Sequence, residues 1–243
     1  MTSKTSAPQT YIFGIHPIVE LLIAKRRQLR TIYTTNPTPK AWDQIKKILP
    51  PRTQIQYVTR EQLTKMVDTP DHQGVVATVG YFPIRKKFFD PERSPFLVML
   101  DGVQDPRNLG AIIRSAYCTG VDGIILSGRN GAPLNSVAIK ASAGLAEHME
   151  VYEATSASAA MIELKKAGYK PYLAVIKGKD ARTVEFAGPM CLVIGGEGSG
   201  ISSGILNAGE QVTLPQKRAD VSYNASVAAG ILLFMVSTLH KKI

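Results

Sequence analysis

The chain has 243 residues, 44% of them hydrophobic, which is enough for one large domain or two small ones with buried cores. It contains no run of about 18 apolar residues, and its first ten residues lack the apolar stretch of a signal peptide. We therefore expect no membrane contact and a cytoplasmic location. The 29 Lys and Arg residues outnumber the 19 Asp and Glu residues, and this net charge of +10 indicates a polyanionic partner.

The positive charge is concentrated near the start of the chain. Residues 1–80 hold 11 basic and 5 acidic side chains, whereas residues 94–243 hold 14 and 12. The basic residues cluster at 25–30, 46–47 and 85–87. This distribution predicts a nucleic-acid-binding part ahead of a nearly neutral one, with an ordinary solvated basic surface as the alternative.

The cysteines and histidines indicate neither a disulfide nor a metal site. Cys118 and Cys191 lie in apolar segments without Cys-x-x-Cys spacing, so both are expected to be small core residues in a reducing compartment. The four histidines have no metal-ligand spacing: His16, His72, His148 and His240. We predict no bound metal.

The first 80 residues predict a small α/β unit. Apolar segments at 32–33, 55–58 and 75–79 alternate with helix-like stretches at 17–28, 40–49 and 60–67. The next segment, 81–95, is rich in proline and charge and is predicted to be a linker.

The remaining residues, 96–243, predict an open α/β sheet. Short apolar runs without polar alternation are typical of parallel strands covered on both faces, and they occur at 96–100, 123–126, 171–176, 191–194 and 211–214. Helical candidates lie between or after these runs, at 108–119, 136–146, 156–168 and 224–240. Ligands bind such sheets at the carboxyl ends of the strands, so we expect the functional loops after residues 100, 194 and 214.

A glycine loop, GGEGSG at 195–200, follows one of these predicted strands. The dinucleotide fingerprint would need a third glycine where Ile201 stands, and the phosphate-binding P-loop would need a lysine that is missing. Glu197 in the centre of the loop would also repel a pyrophosphate. The loop therefore argues against a nicotinamide-dependent dehydrogenase.

The other two loops carry polar residues at predicted helix starts. A helix beginning near Asn108 would bury Leu109, Ile112, Ile113 and Ala116 and would direct Arg107 and Arg114 towards the mouth of the loop. In the third loop, Ser222 and Asn224 precede an apolar helix. Taken alone, Asn108, Ser222 and Asn224 are also explained as helix caps.

Three motifs in order give the chain a family resemblance. DGVQDPRNLGAIIRSA at 101–116, LVIGGEGSGIS at 192–202 and SYNASVAAGILL at 222–233, with SAGLAEH at 142–148, resemble the SpoU/TrmH family of S-adenosylmethionine-dependent RNA ribose 2'-O-methyltransferases. YIFGIHPIVELL at 11–22 and HQGVVATV at 72–79 resemble the L30e-like RNA-binding domain of one branch of that family. That branch includes guanosine 2'-O-methyltransferases of 23S rRNA.

The resemblance implies a role for each matching polar residue. It implies that Arg114 activates the ribose hydroxyl, that Asn108 and Glu197 position Arg114 and the ribose, and that Asn224 and Ser226 form the polar pair of the third motif. An arginine base is chemically demanding because guanidinium is almost always protonated. A bidentate grip on the substrate phosphate is the alternative role for Arg114.

The resemblance further implies that S-adenosylmethionine is held largely by backbone groups, which map to Gly195, Gly196, Leu214 and Tyr223. Glycines suit such a loop because a ligand can approach their main chain closely. The third motif departs from the usual Ile-Pro-Met and Ser-Leu-Asn-Val-Ser pattern, with Gln216 and Tyr223 among the changed positions. Tyr223 is expected to turn outward or to stack.

For the whole chain, the resemblance implies an L30e-like RNA-binding domain at 1–80, a linker at 81–95 and a trefoil-knot methyltransferase domain with a parallel sheet at 96–243. It also implies a homodimer with the cofactor pocket near the interface, and RNA as the substrate, with 23S rRNA preferred. Transfer RNA as the substrate, or a non-catalytic RNA-binding protein on the same fold, remain the alternatives.

Overall fold

The computed structural model describes residues 10–128, 131–218 and 221–243, so the first nine residues of the predicted RNA-binding domain lie outside the described part. The N-terminal region, residues 10–80, forms a four-stranded mixed sheet of order β1-β4-β2-β3. Its elements are β1 (Thr10–Phe13), α1 (Ile15–Ala24), β2 (Leu29–Thr34), α2 (Trp42–Lys46), β3 (Gln54–Tyr57), α3 (Arg60–Val67) and β4 (Val75–Val79).

The C-terminal region, residues 81–243, forms a seven-stranded sheet of order β11-β9-β10-β6-β7-β8-β5, in which every strand pair is parallel. Its strands are β5 (Ile84–Arg85), β6 (Phe96–Asp101), β7 (Gly123–Ser127), β8 (Val151–Ala154), β9 (Lys170–Asp180), β10 (Met190–Gly195) and β11 (Glu210–Thr213). Its helices are α4 (Pro106–Cys118), α5 (Ser136–Ala141), α6 (Ala157–Ala167) and α7 (Ala225–Leu239). The predicted parallel sheet is therefore confirmed.

The central strands are covered on both faces, as their continuous apolar sequences predict. On β6, Val98 and Leu100 belong to one hydrophobic cluster, whereas Leu97 and Met99 belong to another. The first cluster includes residues of α4 and α7, and the second includes residues of α6. Because successive side chains of a strand point to opposite faces, helices on both sides bury an apolar run that never alternates with polar residues.

Three strands and one cysteine differ from the sequence-based expectation. β1, β5 and β8, of four, two and four residues, were not predicted from the sequence. β5 lies within the predicted linker, and Phe89 of the same segment is buried. Cys191 is buried, which raises the pKa of its thiol, but the prediction for Cys118 is wrong because its place on α4 is exposed.

In the described residues, no helix is long and apolar enough to cross a membrane. Within the same ranges, no group of three or more His, Cys, Asp or Glu side chains is placed to hold a metal ion.

Candidate functional site

A cavity of about 420 Å³ lies at the carboxyl ends of β10 and β11 and beside the middle of β9. It includes the ends of two strands that the sequence analysis expected to carry functional loops, after residues 194 and 214. The residues around it come from these three strands, from two loops and from α7; they include Ala174, Ile176, Ile194, Gly195, Gly196, Glu197, Ile201, Leu206, Leu214, Gln216, Tyr223, Ala228 and Leu232. All four predicted cofactor residues are in this set.

Gly195 and Gly196 line the cavity, and both lack room for a side chain. A Cβ atom on Gly195 would overlap the backbone of Gly200 and Ile201, and one on Gly196 would overlap the carbonyl oxygen of Gly102. The Gly196 amide donates to the Asp101 carbonyl at 2.9 Å, and the Gly200 amide donates to the Gly196 carbonyl at 3.0 Å. These glycines therefore permit close packing of the loop on itself and on the chain after β6.

Asp101, the last residue of β6, holds the end of β7 and the chain after the glycine loop in place. Its buried carboxylate accepts the Ser202 amide at 2.7 Å, and it also accepts the hydroxyls of Ser127 and Ser202 at 3.0 and 3.1 Å. Asp101 is not among the site residues predicted from the sequence. The sequence shows an acidic residue directly after a fully apolar strand run. A carboxylate buried at such a position needs several hydrogen-bond donors.

Glu197 and Asn108, from the first two motifs, lie together beside the cavity. The Asn108 Nδ2 donates to Glu197 Oε1 at 2.6 Å, and the Gln104 amide donates to Glu197 Oε2 at 3.3 Å. Asp105, rather than Asn108, caps α4, and Pro106 takes the first helical position. The helix thus starts two residues earlier than predicted, and the Asn108 side chain is used for the bond to Glu197.

Arg114 lies outside the cavity of its own chain. It is exposed on α4 and forms no hydrogen bond or ion pair with any described residue. Gly110 and Tyr117 lie four residues before and three residues after Arg114 on the helix. Gly110 packs against α5, and the Tyr117 ring contacts the His148 ring. The carboxylate partner of Arg114 that the resemblance implied is thus absent from the described part of this chain, where Glu197 pairs with Asn108 instead.

The third motif closes the cavity on the side of α7. Leu214, Gln216, Ser222 and Tyr223 all line it. The Tyr223 hydroxyl donates to the Pro215 carbonyl at 3.3 Å, and the ring is 43% exposed. The bulky tyrosine therefore has room because it bridges its own loop at the surface.

Asn224 and Ser226 bond to each other at the start of α7. Asn224 is the N-cap residue, and its Oδ1 accepts the Ser226 amide at 2.9 Å and the Ser226 hydroxyl at 2.7 Å. Neither residue lines the cavity. The hydrogen bonds that Asn224 makes within this chain are therefore those of a helix cap.

An Asn224→Ala variant should lose about 1 kcal/mol of unfolding free energy, because one amide at the start of α7 loses its acceptor. Urea unfolding would measure the loss. Asn224→Asp keeps a capping oxygen and should retain most of the stability, so a methyl-transfer defect in this stable variant would indicate a catalytic role beyond the cap. Equal stability of Asn224→Ala and the unaltered chain would contradict the cap.

An all-parallel sheet with a cavity at the carboxyl ends of its strands defines an α/β protein with a small-ligand site. The family model described as SpoU rRNA Methylase family matches residues 95–234, and the model described as RNA 2'-O ribose methyltransferase substrate binding matches residues 11–82. The chain therefore belongs to the SpoU family of RNA methyltransferases. The resemblance drawn from the motifs is confirmed.

Similar proteins span nearly the whole chain. YacO of Bacillus subtilis (strain 168), assigned to the TrmH family of tRNA/rRNA methyltransferases, is 31% identical over 245 residues, covering 95% of this chain and 96% of its own. An rRNA methyltransferase of Sinorhizobium meliloti, crystallised with bound AdoMet, has a TM-score of 0.77 and 25% identity and covers 96% of this chain and 87% of its own. A crystal structure of an RNA 2'-O ribose methyltransferase has a TM-score of 0.81 at 20% identity, with coverage of 96% and 89%.

Proposed function

We propose that this protein transfers a methyl group from S-adenosylmethionine to a ribose 2'-hydroxyl of RNA, on a guanosine of 23S rRNA. The observation that carries the proposal is the meeting of Glu197 and Asn108, from two separate motifs, beside the cavity that the glycine loop lines. The substrate-binding family model over residues 11–82 supports a division of labour, with RNA recognition in residues 1–80, a connection at 81–95 and catalysis in residues 96–243.

The cavity fits S-adenosylmethionine in size and chemistry. Its volume of about 420 Å³ lies within the range of roughly 300–1,000 Å³ that is typical of small-molecule sites. Ile201, Leu206 and Leu232 offer apolar walls for an adenine ring, and Gly195 and Gly196 bring the main chain to the edge of the cavity. When bound, the cofactor supplies an electrophilic methyl group on sulfur.

The chain's own polar residues would orient the ribose. Asn108 donates to one Glu197 oxygen at 2.6 Å and the Gln104 amide donates to the other at 3.3 Å, and each oxygen keeps a lone pair that can accept a hydrogen bond from a ribose hydroxyl. Orientation matters because in-line attack requires the hydroxyl oxygen to sit directly behind the methyl group. Arg114 would either assist removal of the hydroxyl proton or grip the adjacent phosphate with both arms of its guanidinium.

We infer that Arg114, which does not line the cavity of its own chain, acts at the cavity of a second copy. The face of α7 next to the cavity supports a homodimer. Val227, Ile231 and Phe234 follow helical spacing and are 49%, 37% and 59% exposed, although α7 also buries Leu232 and Leu233 on its inner face. A two-fold contact through α7 and the neighbouring α4 would cover this stripe and would present Arg114 to the partner subunit.

The trefoil knot that the family resemblance implies stays a prediction.

Phe234→Glu should convert the proposed dimer to a monomer. An unpaired carboxylate in an apolar contact costs several kcal/mol, so we expect the dimer dissociation constant to rise by about 100-fold or more. Size-exclusion chromatography with light scattering measures this change. Ile162→Glu, which replaces an exposed residue on α6, is the control; a monomeric unaltered chain at micromolar concentration would contradict the dimer.

The substrate is tested by incubating the protein and labelled S-adenosylmethionine with unmodified 23S rRNA, 16S rRNA and tRNA in parallel. Label in 23S rRNA, mapped to a guanosine ribose, supports the proposal. Label in tRNA alone would replace rRNA with tRNA as the substrate. No label in any RNA, together with no cofactor binding by calorimetry, would favour the non-catalytic alternative.

A further inference from the structure

Two arginines of the basic cluster at 25–30 bind the C-terminal region instead of facing a nucleic acid. Arg27 donates from Nε to Glu147 Oε2 at 3.0 Å, its Nη2 pairs with Glu147 Oε1, and its Nη1 donates to the Gly80 carbonyl at 3.3 Å. The side chains of Arg27 and Glu147 are only 2% and 1% exposed. The sequence-based expectation that this cluster grips RNA is therefore wrong for Arg27, because its guanidinium is buried.

Arg26 makes a second set of contacts beside the first. Its Nη1 donates to the Met149 carbonyl at 2.6 Å, and its Nη2 donates to Glu150 Oε1 at 2.7 Å. Arg85, from the segment that joins the two regions, donates to the other oxygen of Glu150 at 3.0 Å. Glu150 is thus shared by two arginines that are far apart in sequence.

Further contacts join the start and middle of α1 to the C-terminal region. His148 Nε2 lies 2.7 Å from Glu20 Oε2, and Lys140 Nζ donates at 2.6 Å to the Gln73 side-chain oxygen, which also accepts the Ile15 amide. Gly144 has a φ of +88°, and a Cβ there would lie 2.7 Å from the Cα of Pro17. The backbone of segment 142–150 therefore lies directly against α1.

The buried ion pair between Arg27 and Glu147 is better suited to fixing geometry than to adding stability. Burial raises the pKa of Glu147, and the guanidinium of Arg27 opposes that rise. The attraction within a buried ion pair does little more than offset the cost of removing both charges from water. Apolar residues of similar size often stabilise a fold equally well. A guanidinium that holds both carboxylate oxygens, however, fixes the angle and the distance between two elements.

Segment 142–150 also contacts the helix that carries the candidate reaction residues. The His148 ring lies 5.3 Å from the ring of Tyr117 on α4, and Gly110 of α4 packs against Ala138 and Ser142. Asn108 and Arg114 lie on the same helix. The contacts of α1 therefore set the position of the N-terminal region relative to α4.

We propose that Arg26, Arg27, Arg85, Glu147 and Glu150 form an interdomain clamp that holds RNA bound by the N-terminal region at a fixed position relative to α4 and the cavity. The proposal rests on the proposed RNA methyltransferase function. The five residues are positioning residues: they hold the two parts of the enzyme in register and do not contact the reacting atoms.

The first test measures the arrangement of the regions without any activity assay. Spin labels on Tyr57→Cys and Ile162→Cys, in a Cys118→Ser background, report the distance between the two regions by pulsed electron resonance. Glu147→Gln should broaden the distance distribution, whereas Arg30→Gln, an exposed neighbour in the same cluster, should leave it narrow. The double variant Arg27→Met with Glu147→Leu removes both buried charges, so it should fold and should still broaden the distribution. A narrow distribution in this folded double variant would overturn the clamp.

The second test separates positioning from a purely structural role. The RNA that the function assay labels is compared with a short stem-loop from it that carries the modified nucleotide. In the folded double variant, kcat/KM should fall about tenfold or more for the long RNA and less than twofold for the stem-loop, with cofactor affinity unchanged. Equal losses on both RNAs would overturn the positioning role. If the unaltered chain labels no RNA, the proposed function fails, whereas the distance measurement still decides the clamp.

Discussion

Replacing Arg114 with alanine should nearly abolish methyl transfer and leave both the fold and cofactor binding almost unchanged. The side chain is exposed, makes no bond to any described residue and does not line the cavity, so its loss removes no stabilising contact. A group that takes part in proton transfer contributes about 10²–10⁴-fold to the rate, and we expect a loss near 10³-fold. Single-turnover transfer of labelled methyl measures the rate, and calorimetry measures cofactor affinity.

Two further variants make the Arg114 result specific. Arg93→Ala removes an equally charged and largely exposed arginine that precedes the amino end of β6, and this variant should transfer methyl normally. Arg114→Lys keeps the charge but loses the planar two-armed donor. A higher KM for RNA with little change in kcat would then identify a phosphate grip, and a fall in kcat would identify activation of the hydroxyl. Near-normal transfer by Arg114→Ala would exclude Arg114 from both roles.

Replacing Gly196 with alanine should disrupt the cofactor cavity. The added Cβ would overlap the Gly102 carbonyl oxygen, which belongs to backbone and is unable to rotate away. The loop must then move, and the hydrogen bond from the Gly196 amide to Asp101 at 2.9 Å must lengthen. Overpacking of this kind costs about 1–3 kcal/mol, and if the cost falls on the bound state it lowers cofactor affinity roughly 5- to 150-fold, which calorimetry measures directly.

Gly198 provides the matched control in the same loop. Gly198 also lines the cavity, but apart from its chain neighbours a Cβ there would have no heavy atom within 4 Å, and the residue does not require the left-handed conformation. Gly198→Ala should therefore change affinity far less than Gly196→Ala. If both variants bind the cofactor equally well, the close packing of Gly196 on the chain after β6 does not shape the cavity.

Local patterns were enough to predict most of the C-terminal sheet. The apolar runs at 96–100 and 191–194 became β6 and β10, because a strand covered on both faces needs apolar residues at every position. Leu109, Ile112, Ile113 and Ala116 are buried as predicted, because their spacing places them on one face of α4. Short elements such as β5, at two residues, carry too little periodicity to be recognised.

The sequence by itself determined the parallel sheet, the edge of the sheet where the cavity lies and, through its motifs, the family. These properties depend on residue types and on their spacing over short stretches of the chain. Only the tertiary structure decided the partners of the charged residues: Glu197 pairs with Asn108 rather than Arg114, and Arg27 pairs with Glu147. Charge partners separated by 89 or 120 residues are chosen by how the elements pack, and nothing in the local sequence records that choice.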